Sequence, residues 1–199
     1  GKAGVSLGAY FRSKGLEISG YLSRSRKSAI SAAELTSSKA FTALSDLAAA
    51  SDIIIVSTPD GAIAEVWEEL RKCDIRDRIV CHLSGSLSSD IFDGIAAKSS
   101  FGYSVHPMFA FSGKDGYFEG VEKACFTLEG AKEKLGEVRE IFIRTGNRIF
   151  VIDKSKKALY HASNVMVSNL VTALLSIGTE SFEKCGVKKE EAIEALLPL

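Results

Sequence analysis

The start of the chain constrains the fold more than any other segment. Gly1-Lys2-Ala3-Gly4 runs directly into the apolar residues 5–11, and two glycines so spaced before a helix form the second half of a G-x-G-x-x-G fingerprint. In that fingerprint the backbone turns tightly off a first strand, and the helix points its N-terminal amides at a pyrophosphate. We therefore expect Gly1, Lys2, Ala3 and Gly4 to contact a dinucleotide. The first glycine and the first strand are expected upstream of residue 1.

A basic turn follows the second predicted strand, residues 16–22. The turn reads Ser23-Arg24-Ser25 and continues with two more basic residues. Units that prefer NAD usually have a carboxylate here for the ribose hydroxyls, whereas Arg and small hydroxyl residues surround the 2′-phosphate of NADP. No acidic residue stands between residues 17 and 34, so we predict that Ser23, Arg24 and Ser25 bind NADP. An ordinary solvated basic turn is the alternative.

The composition excludes several classes of function. The chain has 25 basic and 25 acidic residues among 199, so its charge indicates neither nucleic acid nor an acidic membrane surface as a partner. No uninterrupted apolar run approaches the roughly 20 residues of a membrane-spanning helix, and no signal peptide is visible. The cysteines lack C-x-x-C spacing, which predicts buried free thiols in a reducing cytoplasm and no metal site. They are Cys73, Cys81, Cys125 and Cys185.

Strands and helices alternate through the first three quarters of the chain. The further predicted strands are residues 39–41, 52–57, 78–83, 102–106, 124–128 and 148–152, and the predicted helices are residues 28–35, 62–72, 89–97 and 131–145, with an Ala-rich turn at 44–50. This order predicts an α/β fold with a Rossmann-type, doubly wound, mainly parallel sheet. Ligands bind beyond the carboxyl ends of such strands, so Thr58, Pro59, Ser84 and Gly85 are predicted to line the cofactor. For Pro59, simple strand termination is the alternative.

A histidine ends the strand at 102–106. Pro107 fixes the backbone directly after His106 and removes one donor, and a loop rich in glycine and aromatic residues follows at 109–118. A histidine held at a strand end can bind or protonate a substrate near neutral pH. A bond from His106 to the loop backbone is the equally weighted alternative.

The pattern changes to helical after Asp153, which is a plausible N-cap. We predict a nucleotide-binding domain over residues 1–152 and the start of an all-α domain over 153–199, with one long helix at 154–184. Polar residues interrupt this apolar helix at adjoining positions, namely Tyr160, His161, Asn164 and Ser168. Because buried polar groups need partners, they predict either a hydrogen-bond network between helices or the wall of an active-site cleft.

Motifs along essentially the whole chain resemble one family. It is the Rossmann-like family with a C-terminal helical domain of unknown function, DUF2520, related to 6-phosphogluconate dehydrogenase, ketopantoate reductase, prephenate dehydrogenase and F420-dependent NADP reductases. The resemblance rests on Gly1-Lys2-Ala3-Gly4, Tyr21-Leu22-Ser23-Arg24-Ser25, Thr58-Pro59-Asp60, His82-Leu83-Ser84-Gly85, Val105-His106-Pro107-Met108, Tyr160-His161-Ala162-Ser163-Asn164 and Leu196-Leu197-Pro198-Leu199. The departures are at both ends, where the family has a first strand and further C-terminal helices.

The resemblance implies an NADP-dependent oxidoreductase but names no substrate. In the 6-phosphogluconate and 3-hydroxyacid dehydrogenases, a Lys and an Asn one helical turn apart act as acid–base group and substrate-orienting group. Tyr160 and Asn164 have that spacing here, with His161 beside them, while Lys156 and Lys157 come slightly earlier. Prephenate dehydrogenases resemble the chain at His106-Pro107-Met108, where their His contacts the reacting hydroxyl.

These observations predict hydride transfer between NADP(H) and a small carbonyl or hydroxy-acid substrate. The substrate is expected between Ser84-Gly85, His106 and the helix bearing His161 and Asn164. His161 or His106 would move the proton, and Asn164 would orient the oxygen. A non-catalytic NADP(H)-sensing protein and a prephenate-dehydrogenase-like enzyme are the alternatives. Because the helical residues after 153 are too few to bury their own apolar faces, a homodimer through the helical domain is also predicted.

Overall fold

The structure is a computed structural model that describes residues 1–111, 118–196 and 198. Three residues of the predicted aromatic loop, Gly113, Gly116 and Tyr117, lie outside the described residues, as do Leu197 and Leu199. In chain order the elements are α1 (Lys2–Ser13), β1 (Gly20–Tyr21), α2 (Arg26–Leu35), β2 (Lys39–Ala40), α3 (Leu44–Ala49), β3 (Ile53–Val56), α4 (Asp60–Leu70), β4 (Ile79–His82), β5 (Phe101–Met108), β6 (Cys125–Gly130), α5 (Leu135–Arg144), β7 (Arg148–Val151), α6 (Lys157–Val165), α7 (Val171–Lys184) and α8 (Lys189–Leu196). They form two compact units, Gly1–Lys157 and Ala158–Leu199.

The predicted mainly parallel sheet is confirmed. Strands β3 to β7 form a five-stranded sheet in the order β3-β4-β5-β6-β7, and only the β5–β6 pair among these neighbours is antiparallel. A separate parallel pair joins β1 to β2. β3 lies at one edge of the five-stranded sheet, and its apolar run fits a strand whose two faces are both covered.

Helices cover both faces of the five-stranded sheet, as a doubly wound fold requires. One core packs Leu7 and Tyr10 of α1 and Phe142 of α5 against Tyr103 and Phe126 of the sheet. The other core packs α3 and α4 against β3 and β4, and its members are Ala48, Ile54, Val56, Ile63, Trp67, Leu70, Ile75, Val80 and Phe92. Both cores leave the carboxyl ends of β3 and β4 for polar residues.

Two segments have a secondary structure that differs from the one predicted from the sequence. Residues 44–50 make the helix α3 rather than a turn, because Ala48 is fully buried in the second core once the chain coils. The predicted helix at 89–97 is instead two short 3₁₀ segments, Ser89–Ile91 and Ile95–Lys98. Gly94 separates them with φ of 74°, a left-handed conformation that glycine adopts at little cost and that ends a helical path.

A cavity of about 440 Å³ lies beside α1, β1 and β3. Gly20, Tyr21 and Ile55 are among its lining residues, and Ile55 is 37% exposed although it belongs to the apolar strand β3. The cavity separates the β1–β2 pair from the five-stranded sheet and contains none of the polar residues at the carboxyl ends of β4 and β5.

The second unit contains most of the predicted long helix. Asp153 accepts a hydrogen bond from the Ser155 N–H at 2.7 Å, which confirms the N-cap. The helical path then runs through α6, a π-helical turn at Met166–Leu170, and α7. Gly186 follows α7 with φ of 86°, so it ends the helix as expected.

The long helix exposes a large apolar surface. Leu159, Val167 and Leu174 are each at least 67% exposed, and an 18-residue window within the 31 residues Lys154–Lys184 has a mean hydropathy of 1.3 with only 6% of it buried. By length and composition this helix could cross a membrane. The sequence prediction considered only uninterrupted apolar runs, and it does not hold when hydropathy is averaged over a window of residues. A single helix of this kind is weak evidence for a membrane span, because core helices of soluble proteins satisfy the same criterion.

Candidate functional site

The N-terminus of α1 lies at the carboxyl end of β3. A Cβ on Gly4 would overlap the Ser57 hydroxyl, and a Cβ on Gly1 would touch the Ser57 carbonyl oxygen at 3.8 Å. Gly1 is the N-cap, no side chain caps the helix, and its first turn carries no acidic residue. The close packing at Gly4 is the role of the last glycine of the fingerprint. The uncapped amides, next to a position that excludes side chains, fit a phosphate group.

The basic turn after β1 has a structural role as well as its predicted one. Ser25 is the N-cap of α2, where its Oγ accepts the Ser28 N–H at 3.3 Å, and Ser23 Oγ accepts the Ser25 N–H at 3.3 Å. Arg24 is exposed, and within the described parts of the chain it belongs to none of the salt bridges. The guanidinium therefore remains available for an anion, and the two serines shape the turn that presents it.

A carboxylate holds the loop after β4. Asp60, at the start of α4, accepts the Ser84 hydroxyl at 2.7 Å and the Ser86 hydroxyl at 2.8 Å. Ser84 Oγ in turn accepts the backbone N–H groups of Ser86 and Leu87 at 3.1 and 3.0 Å. The structure thus brings the predicted Thr58-Pro59 segment next to the predicted Ser84-Gly85 segment, through the carboxylate that directly follows Pro59.

A row of buried polar residues crosses three strands of the sheet. Ser104 on β5 is in register with His82 on β4 and with Glu129 on β6, so their side chains share one face. All three are at most 1% exposed. The Glu129 carboxylate accepts the Ser89 N–H at 2.8 Å and the Ser89 hydroxyl at 2.7 Å. Such a row is costly inside a protein unless its members are paired, and we therefore treat it as a candidate site.

Lys157 covers this row. Lys157 is only 3% exposed. Its Nζ donates a hydrogen bond to Ser104 Oγ at 2.6 Å. The Ser104 hydroxyl donates onward to the Ser84 carbonyl at 3.3 Å. Burial lowers the pKa of Lys157 to about 8, while the attraction of Glu129 and Asp60 opposes that fall. An amine with such a pKa exchanges protons readily near neutral pH.

His82 is a neutral member of the row. Its Nδ1 accepts the Ser84 N–H at 3.2 Å, so the proton lies on Nε2, which donates to the Ser88 carbonyl at 3.2 Å. Burial lowers the pKa of His82 to about 4, and the nearby Lys157 charge acts in the same direction. The imidazole is therefore uncharged at neutral pH, and it holds the loop that follows β4 at two points, Ser84 and Ser88.

His106 packs directly on the loop after β4. A Cβ on Gly85 would lie 2.8 Å from His106 Nε2, so only glycine permits this approach. His106 is in register with Thr127, whose buried hydroxyl has no hydrogen-bond partner among the described residues. The structure thus brings together three of the predicted elements, Ser84, Gly85 and His106, at one edge of the sheet.

The two predicted residues of the long helix belong to the second unit. Asn164 Nδ2 donates to the Tyr160 carbonyl at 3.0 Å, and Ser168 Oγ donates to the Asn164 carbonyl within the same helix. These bonds satisfy the polar groups locally, so burial against another helix is not needed for them. His161 is half-buried. That His161 and Asn164 face the nucleotide-binding unit stays a prediction.

Sequence reasoning assigned no role to Lys157, Ser104, Glu129 or Asp60. The spacing held a usable signal for Lys157, because Lys157 and His161 are four residues apart, which is the separation of the Lys and Asn in the related dehydrogenases. Nothing in the local sequence separates Lys157 from Lys156, since both are polar residues at a helix start. Glu129 and Ser104 become notable only through the strand register.

The cysteines form no disulfides, but the prediction that they are all buried is wrong. Cys81 is buried and Cys185 is exposed, with Cys73 and Cys125 between them. Burial raises the pKa of Cys81 to about 12, so this thiol is unreactive. Over residues 1–111, 118–196 and 198, no group of three or more His, Cys, Asp or Glu residues is arranged to hold a metal ion.

The sheet order and the helices on both of its faces define the class of this molecule, a doubly wound α/β protein. The chain belongs to the Rossmann-like domain family, whose model matches residues 1–107. Residues 124–199 match a domain of unknown function, DUF2520. This second match includes β6, α5 and β7 as well as the helices of the second unit, so it contains both Glu129 and Lys157.

Solved structures show the same fold over nearly the whole chain. Protein TM1727 from Thermotoga maritima is 30% identical, with a TM-score of 0.76, over 97% of this chain and 72% of that one. Pyrroline carboxylate reductase from Plasmodium falciparum, solved with NADP bound, is 15% identical, with a TM-score of 0.69, over 100% and 72%. A reductive aminase from Aspergillus terreus, solved with NADPH and ethyl-5-oxohexanoate, is 14% identical, with a TM-score of 0.75, over 100% and 68%. A comparison with curated proteins gave no match.

Proposed function

We propose that the protein is an NADP(H)-dependent oxidoreductase that transfers a hydride to and from a small carbonyl or hydroxy-acid substrate. The observation that carries this proposal is Lys157, a buried amine whose Nζ lies 2.6 Å from Ser104 Oγ, with a pKa lowered to about 8. Perturbed ionisable groups at the edge of a nucleotide-binding sheet are candidates for acid–base chemistry. The NADP-bound state of the reductase from Plasmodium falciparum, which has the same fold, supports the choice of cofactor.

Different residues would bind the cofactor and transfer the proton. The N-terminus of α1 at Gly1 and Gly4 would hold the pyrophosphate, and Arg24 would pair with the 2′-phosphate. When bound, the cofactor supplies or accepts the hydride. Lys157 holds a proton on Nζ and delivers it to the substrate oxygen as that oxygen gains charge, and in the reverse direction it takes the proton back.

Neighbouring groups would bind and orient the substrate. His106 and the Thr127 hydroxyl share the polar face of the sheet, and the Thr127 hydroxyl is a buried donor without a protein partner among the described residues. Either group can bond a substrate oxygen. His161 and Asn164 remain candidates for the same task from the second unit, as the sequence predicts.

The substrate is to be found by a screen. Purified full-length protein with NADPH is tested against 2-keto acids, 3-oxo acids and cyclic imines, and with NADP against hydroxy acids and cyclohexadienyl acids, with nicotinamide absorbance as the readout. Turnover on the cyclohexadienyl acids, lost in His106→Ala, would favour the prephenate-dehydrogenase-like alternative. Tight NADPH binding with no turnover on any compound would favour the cofactor-sensing protein.

Cofactor preference gives a first test. Replacing Arg24 with alanine should weaken NADPH binding by about 1.5–3 kcal/mol, because a charge-assisted guanidinium–phosphate bond is lost. Binding of NADH, which has no 2′-phosphate, should not change. Isothermal titration of both cofactors measures this, and Arg12→Ala is the matched control because Arg12 is also exposed but lies in the last turn of α1. Equal affinities of the wild type for NADH and NADPH would refute the proposed preference.

We further propose a homodimer formed through the helical second unit. The apolar residues exposed on the long helix include Leu159, Leu170, Leu174 and Leu175, each at least 50% exposed. Exposed apolar surfaces of this extent mark interaction sites, and a second copy of the same surface can cover them. We also place the protein in the cytoplasm, where its four free thiols stay reduced.

Sedimentation tests the dimer. Full-length protein at micromolar concentration should sediment as a dimer, and Leu174→Glu should shift it toward monomer, because a charge would enter an apolar interface. Leu35→Glu is the control, since Leu35 is 54% exposed in the first unit and should leave the dimer intact. A wild-type monomer at these concentrations would contradict the proposal.

A further inference from the structure

Glu129 is a buried carboxylate whose position needs an explanation. It is 1% exposed on β6, the strand that joins the sheet in antiparallel orientation. Both carboxylate oxygens are bonded to Ser89, one to its N–H and one to its hydroxyl. These neutral donors orient the carboxylate, but they do not balance its charge.

The charge of Glu129 acts on Lys157. Glu129 is in register with Ser104, and Ser104 accepts the Lys157 ammonium at 2.6 Å. Among the influences on Lys157, burial comes first, and the attraction of Glu129 is the larger of the two that oppose it. Glu129 thus lies beside Ser104 on the neighbouring strand, and the amine reaches the Ser104 hydroxyl from the start of α6.

We propose that Glu129 is the positioning residue of this site, holding Lys157 as an ammonium ion against Ser104. The inference rests on the proposed role of Lys157 as the acid. Ser89 fixes where the carboxylate lies, Glu129 fixes the charge state of the amine, and Ser104 fixes its direction. Without the carboxylate, the buried amine would lose its proton at neutral pH and could no longer protonate a substrate.

Other ionisable groups face Lys157 or lie close to it. Asp60 at the start of α4 also attracts the ammonium, and His82 on β4 is neutral above pH of about 4. His106 lies two residues from Ser104 on the same face of β5. Lys154, on the same helical segment as Lys157, is paired with Asp90 at 2.6 Å on the protein surface. Glu129 is the buried carboxylate among these groups, which is why its removal should have the larger effect.

The experiment is an NMR titration of the full-length protein without cofactor or substrate. With lysine labelled at Cε, the Lys157 signal is assigned by its absence in Lys157→Met, and it should titrate near 8 while ordinary lysines titrate at about 10.4. In Glu129→Gln the midpoint should fall by about one pH unit or more, because an opposing charge in a buried site is lost. Glu129→Asp keeps the charge and should restore most of the midpoint.

Asp90→Asn is the matched control, because it neutralises a carboxylate on the same turn as Ser89 that is 64% exposed and paired with Lys154. It should leave the Lys157 midpoint unchanged. A Glu129→Gln midpoint equal to the wild type would overturn the proposal. So would an equal shift in Asp90→Asn.

A second measurement uses only the wild type and so does not depend on the variant folding. With glutamate labelled at Cδ, the Glu129 signal should show an inflection at the same pH at which Lys157 titrates, because the two charges sense each other. No inflection there would refute the proposal. Both measurements leave hydride transfer untouched, so their failure is distinguishable from failure of the proposed function.

Discussion

Replacing Lys157 with methionine is expected to lower the rate of hydride transfer by about 10²–10⁴-fold, the usual contribution of a positioned acid–base group. Methionine keeps the length and apolar stem of the side chain but has no proton to give. Lys157 is buried and its amine is oriented by Ser104, so the variant loses a positioned proton donor. Single-turnover oxidation of NADPH, with the substrate identified by the screen, measures the loss.

Lys156→Met is the matched control, because Lys156 is the adjacent lysine and is exposed. Its rate should equal the wild type. NADPH affinity should be unchanged in both variants, since neither lysine belongs to the proposed phosphate contacts. If Lys157→Met retained the full rate while His106→Ala or His161→Ala lost it, the acid would be the histidine that the sequence predicts.

Acidification should destabilise the protein through His82 by about 3 kcal/mol. Its pKa is about 4 in the folded state and 6.5 in an unfolded chain, so the unfolded state binds the additional proton between these values. Stability therefore falls as pH decreases from about 6.5 toward 4, and a shift of this size corresponds to about 3 kcal/mol. The physical reason is that charging His82 would remove the acceptor of the Ser84 N–H and bury a cation.

Urea unfolding at pH 7.5 and at pH 4.5 measures this effect. His82→Gln cannot titrate, so the loss of stability between the two pH values should be smaller in the variant, while carboxylates that titrate in both proteins cancel in the comparison. The wild-type imidazole signal of His82 should also stay constant between pH 5.5 and 7.5. A variant with the same pH dependence as the wild type would contradict the assignment.

The fold could be predicted because the sequence patterns that indicate its strands and helices each lie within one segment of the chain. Alternating apolar strands and amphipathic helices predicted the parallel sheet, and Asp153 and Gly186 marked the ends of the long helix through a cap and a left-handed residue. The main misses follow from interactions that are not local. Residues 44–50 became a helix because Ala48 enters a core, and the predicted helix at 89–97 broke at Gly94, whose backbone conformation the sequence does not state.

The candidate site was predictable only in part. The sequence placed Ser84, Gly85 and His106 near each other by the rule that ligands bind at the carboxyl ends of strands, and the contact of Gly85 with His106 agrees with that expectation. The two buried charged residues of the site, Lys157 and Glu129, come from segments without a motif. Their nearness depends on β6 running antiparallel to β5, which places Glu129 opposite Ser104.

The sequence alone determined the order of elements, the glycines at the start of α1 and the basic turn at Arg24, because each depends on residues adjacent in the chain. The tertiary structure decided which of two neighbouring lysines is buried, and which hydroxyl it bonds. Lys157 and Ser104 are 53 residues apart in sequence, and strand register and burial bring them within hydrogen-bond distance. Local sequence does not encode such a contact, because the desolvation that lowers the pKa of Lys157 exists only once both segments are packed.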